Sequence, residues 1–509
     1  MNKKSVLSKR KNFMIKYRQF ITDVIRELKA YKFLIKPILI FCLLYLISFF
    51  GIILAHVNYM DDLGRSMAGY TEWNYFGRYV STGLSFILHT NHYLSDISPL
   101  AQFVAIIFLS TASALAVYII TGKKKFSISH YIAGILIGVS PYFLECFSYK
   151  FDSPYMALSI LVSILPLVSY RRNNKNTPFY ITTFICAIVV CSTYQAGSGI
   201  YFVLVILLTF KELAINNENI KNILLIFIKQ CAPFLLGVFC YKIFMMPVTN
   251  DAGYVSNQLP GLIEFIPNAI HNLITFYTNI HLDFCGLWEV LIVIILALFV
   301  IAPAIKVKKP IILLYSLVAL TAISIVAFGF YVVIAKPLFA ARAMYGYCVA
   351  LGLVSIFVVD LLNGSFILKL PIYGIAWCFL VFSFIYSNSL IAQARWDDFR
   401  INETITALSN ERILTDNTES ISVNGAIGYA PEIRNTVERY PVLKKLVIPY
   451  YGGGDWSWET YKICRYYGFS LDSAKCIANS DNTIDSPQEL NTYYDNILYN
   501  DKKIIINLK

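Results

Sequence analysis

Charged residues are scarce in this chain: they make up 15% of 509 residues, against about a quarter in a typical soluble domain. That scarcity points away from a water-soluble globule and toward lipid as the solvent. The eleven cysteines show no C-x-x-C pair or other metal-ligand spacing, which leaves no zinc ribbon or thioredoxin-type motif. A Gly-x-Ser-x-Gly elbow and an H-E-x-x-H helix are also missing. The run Gly452-Gly453-Gly454 lacks the Lys and the strand-to-helix setting of a P-loop. No internal repeat or low-complexity linker divides the chain. The net charge of +12 could suggest nucleic acid. No basic face with interleaved aromatics accompanies it, so nucleic acid is not expected as a partner.

What abounds is apolar. Hydrophobic residues make up 57% of the chain and come in long runs. Residues 38–55, 223–246, 287–305 and 311–335 reach or approach the roughly 20 residues that cross a hydrocarbon core. The first run follows a long basic stretch and exceeds a signal-peptide core, so it reads as an anchor. About eleven spans are expected. They lie near 37–56, 100–121, 128–145, 154–170, 178–194, 199–213, 223–246, 286–305, 310–335, 340–362 and 371–392. Cys42, Cys186, Cys191 and Cys378 fall inside these runs and read as small packing residues.

Lys and Arg gather beside the ends of the runs. They crowd the N-terminal stretch and recur at Lys123-Lys124-Lys125, Arg171-Arg172, Lys211 with Lys221, and Lys306 with Lys308-Lys309. With the N-terminus cytoplasmic, alternation of the spans puts every one of these clusters on that same side, as the positive-inside rule requires. There they would also meet anionic head groups of the bilayer.

The expected architecture is an all-α polytopic membrane protein. A basic cytoplasmic N-terminus covers 1–36, and a transmembrane domain covers 37–392 with its first outer loop at 57–99. Other outer segments fall near 146–153 and 247–285. The tail, 393–509, sits opposite the N-terminus. It is rich in Asn, Asp and Tyr, ends in the strand-like segment 503–508, and reads as a small periplasmic α/β domain near the lower size for an independent core. Cys464 and Cys476 lie in it, where an oxidising compartment would permit a disulfide.

The most informative stretch is Asn58-Tyr59-Met60-Asp61-Asp62-Leu63-Gly64-Arg65, directly after the first span. Beyond it, Leu63, Met67, Tyr70, Gly77, Val80, Leu84 and Leu88 recur mostly at three- and four-residue steps, the period of an amphipathic helix lying in the membrane interface. Trp73 suits that depth. An enzyme using a lipid-phosphate sugar needs such a place. The sugar and phosphate sit at the interface, a carboxylate takes the proton of the attacking hydroxyl, and a cation receives the leaving phosphate. Asp61 and Asp62 point about 100° apart on a helix, so one would be the base while the other orients a sugar hydroxyl, a metal or an arginine. Arg65 or Arg78 would pair the phosphate oxygens. A structural account stands beside this one: the two acids cap the helix, with Asp62 paired to Arg65.

A second outer loop holds Glu145, Lys150 and Asp152. Ionisable groups at this depth are costly and usually face a cavity, although Asp152 with Pro154 also fits a plain helix start. Lys336, Arg342 and Tyr345 bracket another short outer turn suited to interface anchoring or phosphate. His56, His89 and His92 form no ligand set. Trp456 and Trp458 beside the tail's Gly run could stack on acceptor sugars, or simply pack.

These motifs resemble a known family. Asp61-Asp62-Leu-Gly-Arg65 with Gly69, Trp73 and Gly77-Arg78, then Ser95-Asp96-Ile-Ser-Pro99, Ser140-Pro-Tyr-Phe-Leu-Glu145 and Ser148-Tyr-Lys-Phe-Asp152-Ser-Pro-Tyr-Met156, look like the glucosyl transferase II type of membrane glycosyltransferase, which includes serotype-converting O-antigen enzymes of temperate phages and enteric bacteria. The likeness covers about the first 160 residues. It implies a GT-C-like architecture in the bacterial inner membrane and transfer of glucose from undecaprenyl-phosphate glucose to O-antigen repeat units of lipopolysaccharide on the periplasmic face. It also implies a functional link to a flippase and a lipid-linked glucose synthase. Its usual catalytic aspartate falls on Asp61 or Asp62. Glu145 and Asp152 match its second acidic loop and are expected, with Trp73, to bind substrate, while Lys150 joins Arg65 and Arg78 as an expected donor-phosphate cation. A divalent ion, Mg or Mn, is neither required nor excluded by the motifs. Two rival classes share the hydropathy. A transporter or flippase of lipid-linked glycans should carry ionisable residues near mid-span and related halves, whereas the acids here lie in outer loops. An O-antigen polymerase or ligase would also work outside.

Overall fold

The computed structural model describes residues 30–170, 176–246, 258–362, 364–413, 418, 420–451, 462 and 484–509. Helices dominate it. They are α1 (Ile35–Ala55), α2 (Asp61–Ala68), α3 (Tyr79–His89), α4 (Leu100–Thr121), α5 (Ile128–Ile135), α6 (Pro141–Ser148), α7 (Ser153–Ile164), α8 (Pro166–Tyr170) and α9 (Asn176–Thr193). There follow α10 (Ser198–Ala214), α11 (Ile220–Phe244), α12 (Phe265–Asp283), α13 (Leu287–Val307), α14 (Ile311–Val326), α15 (Ala341–Leu361), α16 (Leu370–Asn410), α17 (Arg434–Arg439) and α18 (Leu443–Leu446).

Among the described residues seven helices are long and apolar enough to cross a membrane: α1, α4, α10, α11, α13, α15 and α16, some with a short 3-10 lead-in. The expected spans near 154–170, 178–194 and 310–335 appear as shorter apolar helices. The expected span at 128–145 is broken into α5 and α6, with Ser140 capping α6 at Pro141 through its bond from Phe143 N. Helix α15 lies at the centre. Its apolar window is 89% buried, against 28% for α1 and α11, whose Leu39, Leu43, Leu235 and Phe239 face outward as lipid-facing side chains do. Small residues let the central backbones approach closely. A Cβ on Gly346 would stand 2.3 Å from Ala327 O, and one on Gly199 only 2.0 Å from Val326 O.

The basic loop residues meet at one end of the bundle. Lys123 and Lys211 flank Asp360 at 2.8 and 3.2 Å, and Lys309 reaches Asn217 at 2.7 Å. The acids of the first two loops lie at the other end, past the last residue of α1. The single amphipathic helix expected over 63–88 is not formed. The segment breaks into α2, a 3-10 turn at Trp73–Phe76, and α3, because Gly69, Glu72 and Gly77 all take positive φ, which a helix cannot hold. The expected loop 247–285 instead contains α12, which exposes Ile266, Ile270 and Ile274 and donates from Asn272 to Val332 O at 3.0 Å.

Helix α16 extends for 41 residues, about 60 Å at 1.5 Å per residue, twice the hydrocarbon thickness. Its distal half carries the tail sheet. Strands β1 (Ser420–Asn424), β2 (Gln488–Asn491), β3 (Asp495–Tyr499) and β4 (Lys503–Leu508) run in the order β1-β4-β3-β2, with β1 parallel to β4 and the other pairs antiparallel. The strand-like C-terminus is therefore central, and Ile504 and Ile506 pack with Ile401 and Leu408 of α16. Buried Arg400 and Thr404 lock onto Asp495 at 3.2 and 2.6 Å. Nine described cysteines are unpaired; Cys464, Cys476, Trp456 and Trp458 lie outside the described residues.

Replacing Gly199 by Val should cost about 1–3 kcal/mol or more, since the added atoms meet backbone that cannot move aside. Gly83, on the exposed face of α3, has nothing within 4 Å of its Cβ position, so Gly83→Ala should gain about 0.5–1 kcal/mol. Thermal midpoints of the detergent-solubilised variants check both signs.

Candidate functional site

The paired aspartates divide by environment. Asp62 is fully buried. Its carboxylate accepts backbone N–H groups from Tyr59 at 3.2 Å, Lys150 at 2.9 Å and Phe151 at 3.4 Å, so it ties the first outer loop to the second. Burial pushes its carboxyl up to about 7, opposed by the Lys150 and Tyr59 N–H groups and by the Arg65 and Lys150 charges. Asp61, the first residue of α2, keeps 53% of its side chain exposed, and the Arg65 guanidinium stands 4.0 Å from it. The turn that delivers it is tight. Asp62 N donates to Tyr59 O at 3.1 Å, and Met60 takes φ 48°, ψ −111°, the first central position of a type II′ turn.

Arg65 was expected at the donor phosphate. It is buried and donates to Asp152, while its plane lies 4.7 Å from the centre of the Trp73 ring. Trp73 Nε1 donates to the other Asp152 oxygen at 2.5 Å. Both Asp152 oxygens are thus taken by Arg65 and Trp73, while Arg65 Nε is buried without a hydrogen-bond partner, and the local Asp62–Arg65 pair is replaced by this longer-range one. Lys150 is also spent: its Nζ donates to Asn58 at 2.9 Å and to Asp96 at 3.2 Å.

Two other arginines stay partly open. Glu145 is buried and takes Arg342 N and Nη1 at 2.6 Å each, aiming a guanidinium that remains 19% exposed. Arg342 lies over the Tyr149 ring at 5.5 Å and 3.7 Å from Met60 Sδ, next to the base of Asp61. Tyr149 O–H donates to the same sulfur at 2.9 Å. Burial raises the Tyr149 phenol well above its ordinary range; Arg342 opposes this, while Glu145 and Asp61 add to it. Arg78 stacks on Tyr194 at 4.6 Å and on Phe76 at 5.4 Å, with Nε donating to Gln195 at 3.3 Å. Gln195 in turn donates to Phe76 O and Tyr241 Oη at 3.0 and 3.1 Å.

Beside Arg78 opens a cavity of about 330 Å³. Phe76, Phe239, Phe330, Val333 and Ile334 make its walls apolar, and Arg78, Gln195, Tyr241 and Lys242 line its polar end. Leu235 and Phe239 of α11 belong both to this wall and to the outward face, so the cavity borders the lipid. Gln195 and Tyr241 were not read from sequence; the one available signal was a polar Tyr-Gln pair in the short turn between two apolar runs. Among the described residues no group of three or more His, Cys, Asp or Glu side chains could hold a metal ion.

Residues 50–353, more than half the chain, match the family described as glucosyl transferase GtrII. A protein of Salmonella phage P22, described as an uncharacterized 55.3 kDa protein in the gtrB 5′ region, is 26% identical over 231 residues. The match takes in 44% of this chain and 46% of that protein, so the chain spans about half the length of this relative. No solved structure matches. The motif likeness of the first 160 residues thus extends into α15, and the chain, with its seven apolar helices, belongs to the glucosyl transferase GtrII family.

Proposed function

We propose that this protein transfers glucose from undecaprenyl-phosphate glucose to O-antigen repeat units at the periplasmic face of the inner membrane, with Asp61 as general base. The observation that carries the reading is the contrast within one dipeptide. Asp62 is consumed by three N–H groups, while Asp61 stays half exposed, 4.0 Å from Arg65 and one residue on from Met60, whose sulfur Arg342 approaches. The polyprenyl tail would lie in the lipid-bordering cavity, its phosphate between Arg78 and Arg342, and the sugar toward Asp61.

In the reaction, an acceptor hydroxyl attacks the anomeric carbon as the bond from that carbon to the phosphate oxygen breaks. The hydroxyl proton passes to Asp61, and undecaprenyl phosphate departs with its charge met by the two guanidiniums. In-line displacement on a β-linked donor yields an α-glucoside. Arg65, Trp73, Lys150, Asp152 and Asp62 shape the floor of this site, and Glu145 aims Arg342. The flippase and the lipid-linked glucose synthase implied by the donor act upstream of it.

Purified protein with lipid-linked glucose and an acceptor glycan tests this directly. Asp61→Asn should lower kcat by about 10²–10⁴-fold without moving the thermal midpoint. Asp62→Asn sets an amide NH₂ against backbone donors and should instead cost about 1–3 kcal/mol of stability. Arg78→Gln should lower turnover about 10²-fold. A wild-type protein that makes no glycosidic bond, or an Asp61→Asn variant that keeps full turnover, would overturn the assignment.

A further inference from the structure

Met60 is held in a conformation that glycine favours. At φ 48°, ψ −111° it occupies the turn position normally given to Gly, and an L side chain there persists only when its surroundings over-determine it. Much of what holds it comes from the tail, nearly 400 residues away in sequence. Met60 N–H donates to Tyr450 Oη at 2.7 Å, and Tyr59 O–H donates to Leu446 O at 2.9 Å. The tail segment is itself anchored. Tyr450 N–H donates to Asp397 of α16 at 3.1 Å, Lys445 reaches Asp283 at 2.6 Å, and Val442, Leu443, Leu446 and Val447 are buried in the main core.

We infer that Tyr450 is a positioning residue for Asp61, acting through the Met60 amide. The inference rests on Asp61 being the general base. The ψ of Met60 sets the direction in which the chain enters α2, and Asp61 is the first residue of that helix. Fixing the Met60 N–H fixes where the Asp61 carboxylate points relative to Arg342, whose guanidinium lies 3.7 Å from the Met60 sulfur. The tail domain thereby completes the catalytic geometry without supplying a group to the reaction.

Tyr450→Phe removes one oxygen and keeps the buried ring. Its kcat should fall between roughly tenfold and a hundredfold, the effect of misplacing a base by about an ångström, with donor KM within about twofold and the thermal midpoint retained. Tyr59→Phe, which breaks the second strap, should give the same split. Wild-type kcat in both tyrosine variants would overturn the inference, as would a loss of kcat that tracks the thermal midpoint. Asp61→Asn assayed alongside separates the two ideas. If it is inactive while Tyr450→Phe is unimpaired, only the positioning role fails; if it is active, the functional reading itself fails.

Discussion

One buried carboxylate holds the site end of this molecule together. Asp62 collects N–H groups from its own turn and from the loop between α6 and α7, satisfying donors that would otherwise be stranded away from water. Around it the other charges pair off in order: Arg65 with Asp152, Lys150 with Asp96, Glu145 with Arg342. Ion pairs at this depth are expensive unless each member is matched. Here the matching fixes two loops against each other and leaves Asp61 and the outer edges of two guanidiniums facing outward.

Such an arrangement explains why so many ionisable residues crowd a small region of an otherwise apolar chain. Few of them are free to touch a ligand. Most brace the few that are, as the shell around a reacting group must when that group is to stay oriented. The aromatic rings serve the same end: Trp73 carries Arg65, Tyr149 carries Arg342, and Tyr194 carries Arg78, each cation resting on a π face that tolerates desolvation better than alkyl packing would.

Much of this was legible in the sequence, and the remainder was hidden for definite reasons. Long apolar runs and basic ends forecast the membrane helices, and Lys123, Lys211 and Lys309 do lie at one end of the bundle. The carboxylates and arginines of the first two loops were singled out by type and spacing. Their division of labour was not, because it depends on N–H groups and partners arriving from about 90 residues away, as Lys150 does for Asp62. The break of 61–89 into three pieces was signalled by Gly69 and Gly77, but a regular hydrophobic period outweighed those glycines in a one-dimensional reading. Gln195 and Tyr450 carry no motif at all; only the folded chain brings them to Arg78 and Met60.

Helix α16 runs unbroken from the bundle to the sheet, and after Gly374 it contains neither glycine nor proline. Bends in helices arise at such residues or at inserted groups, so this one offers no joint. The sheet is consequently carried like a flag on a stiff mast: it cannot tilt without leaning the membrane helix beneath it, and any acceptor gripped by the sheet would exert leverage on the bilayer-embedded half of the molecule.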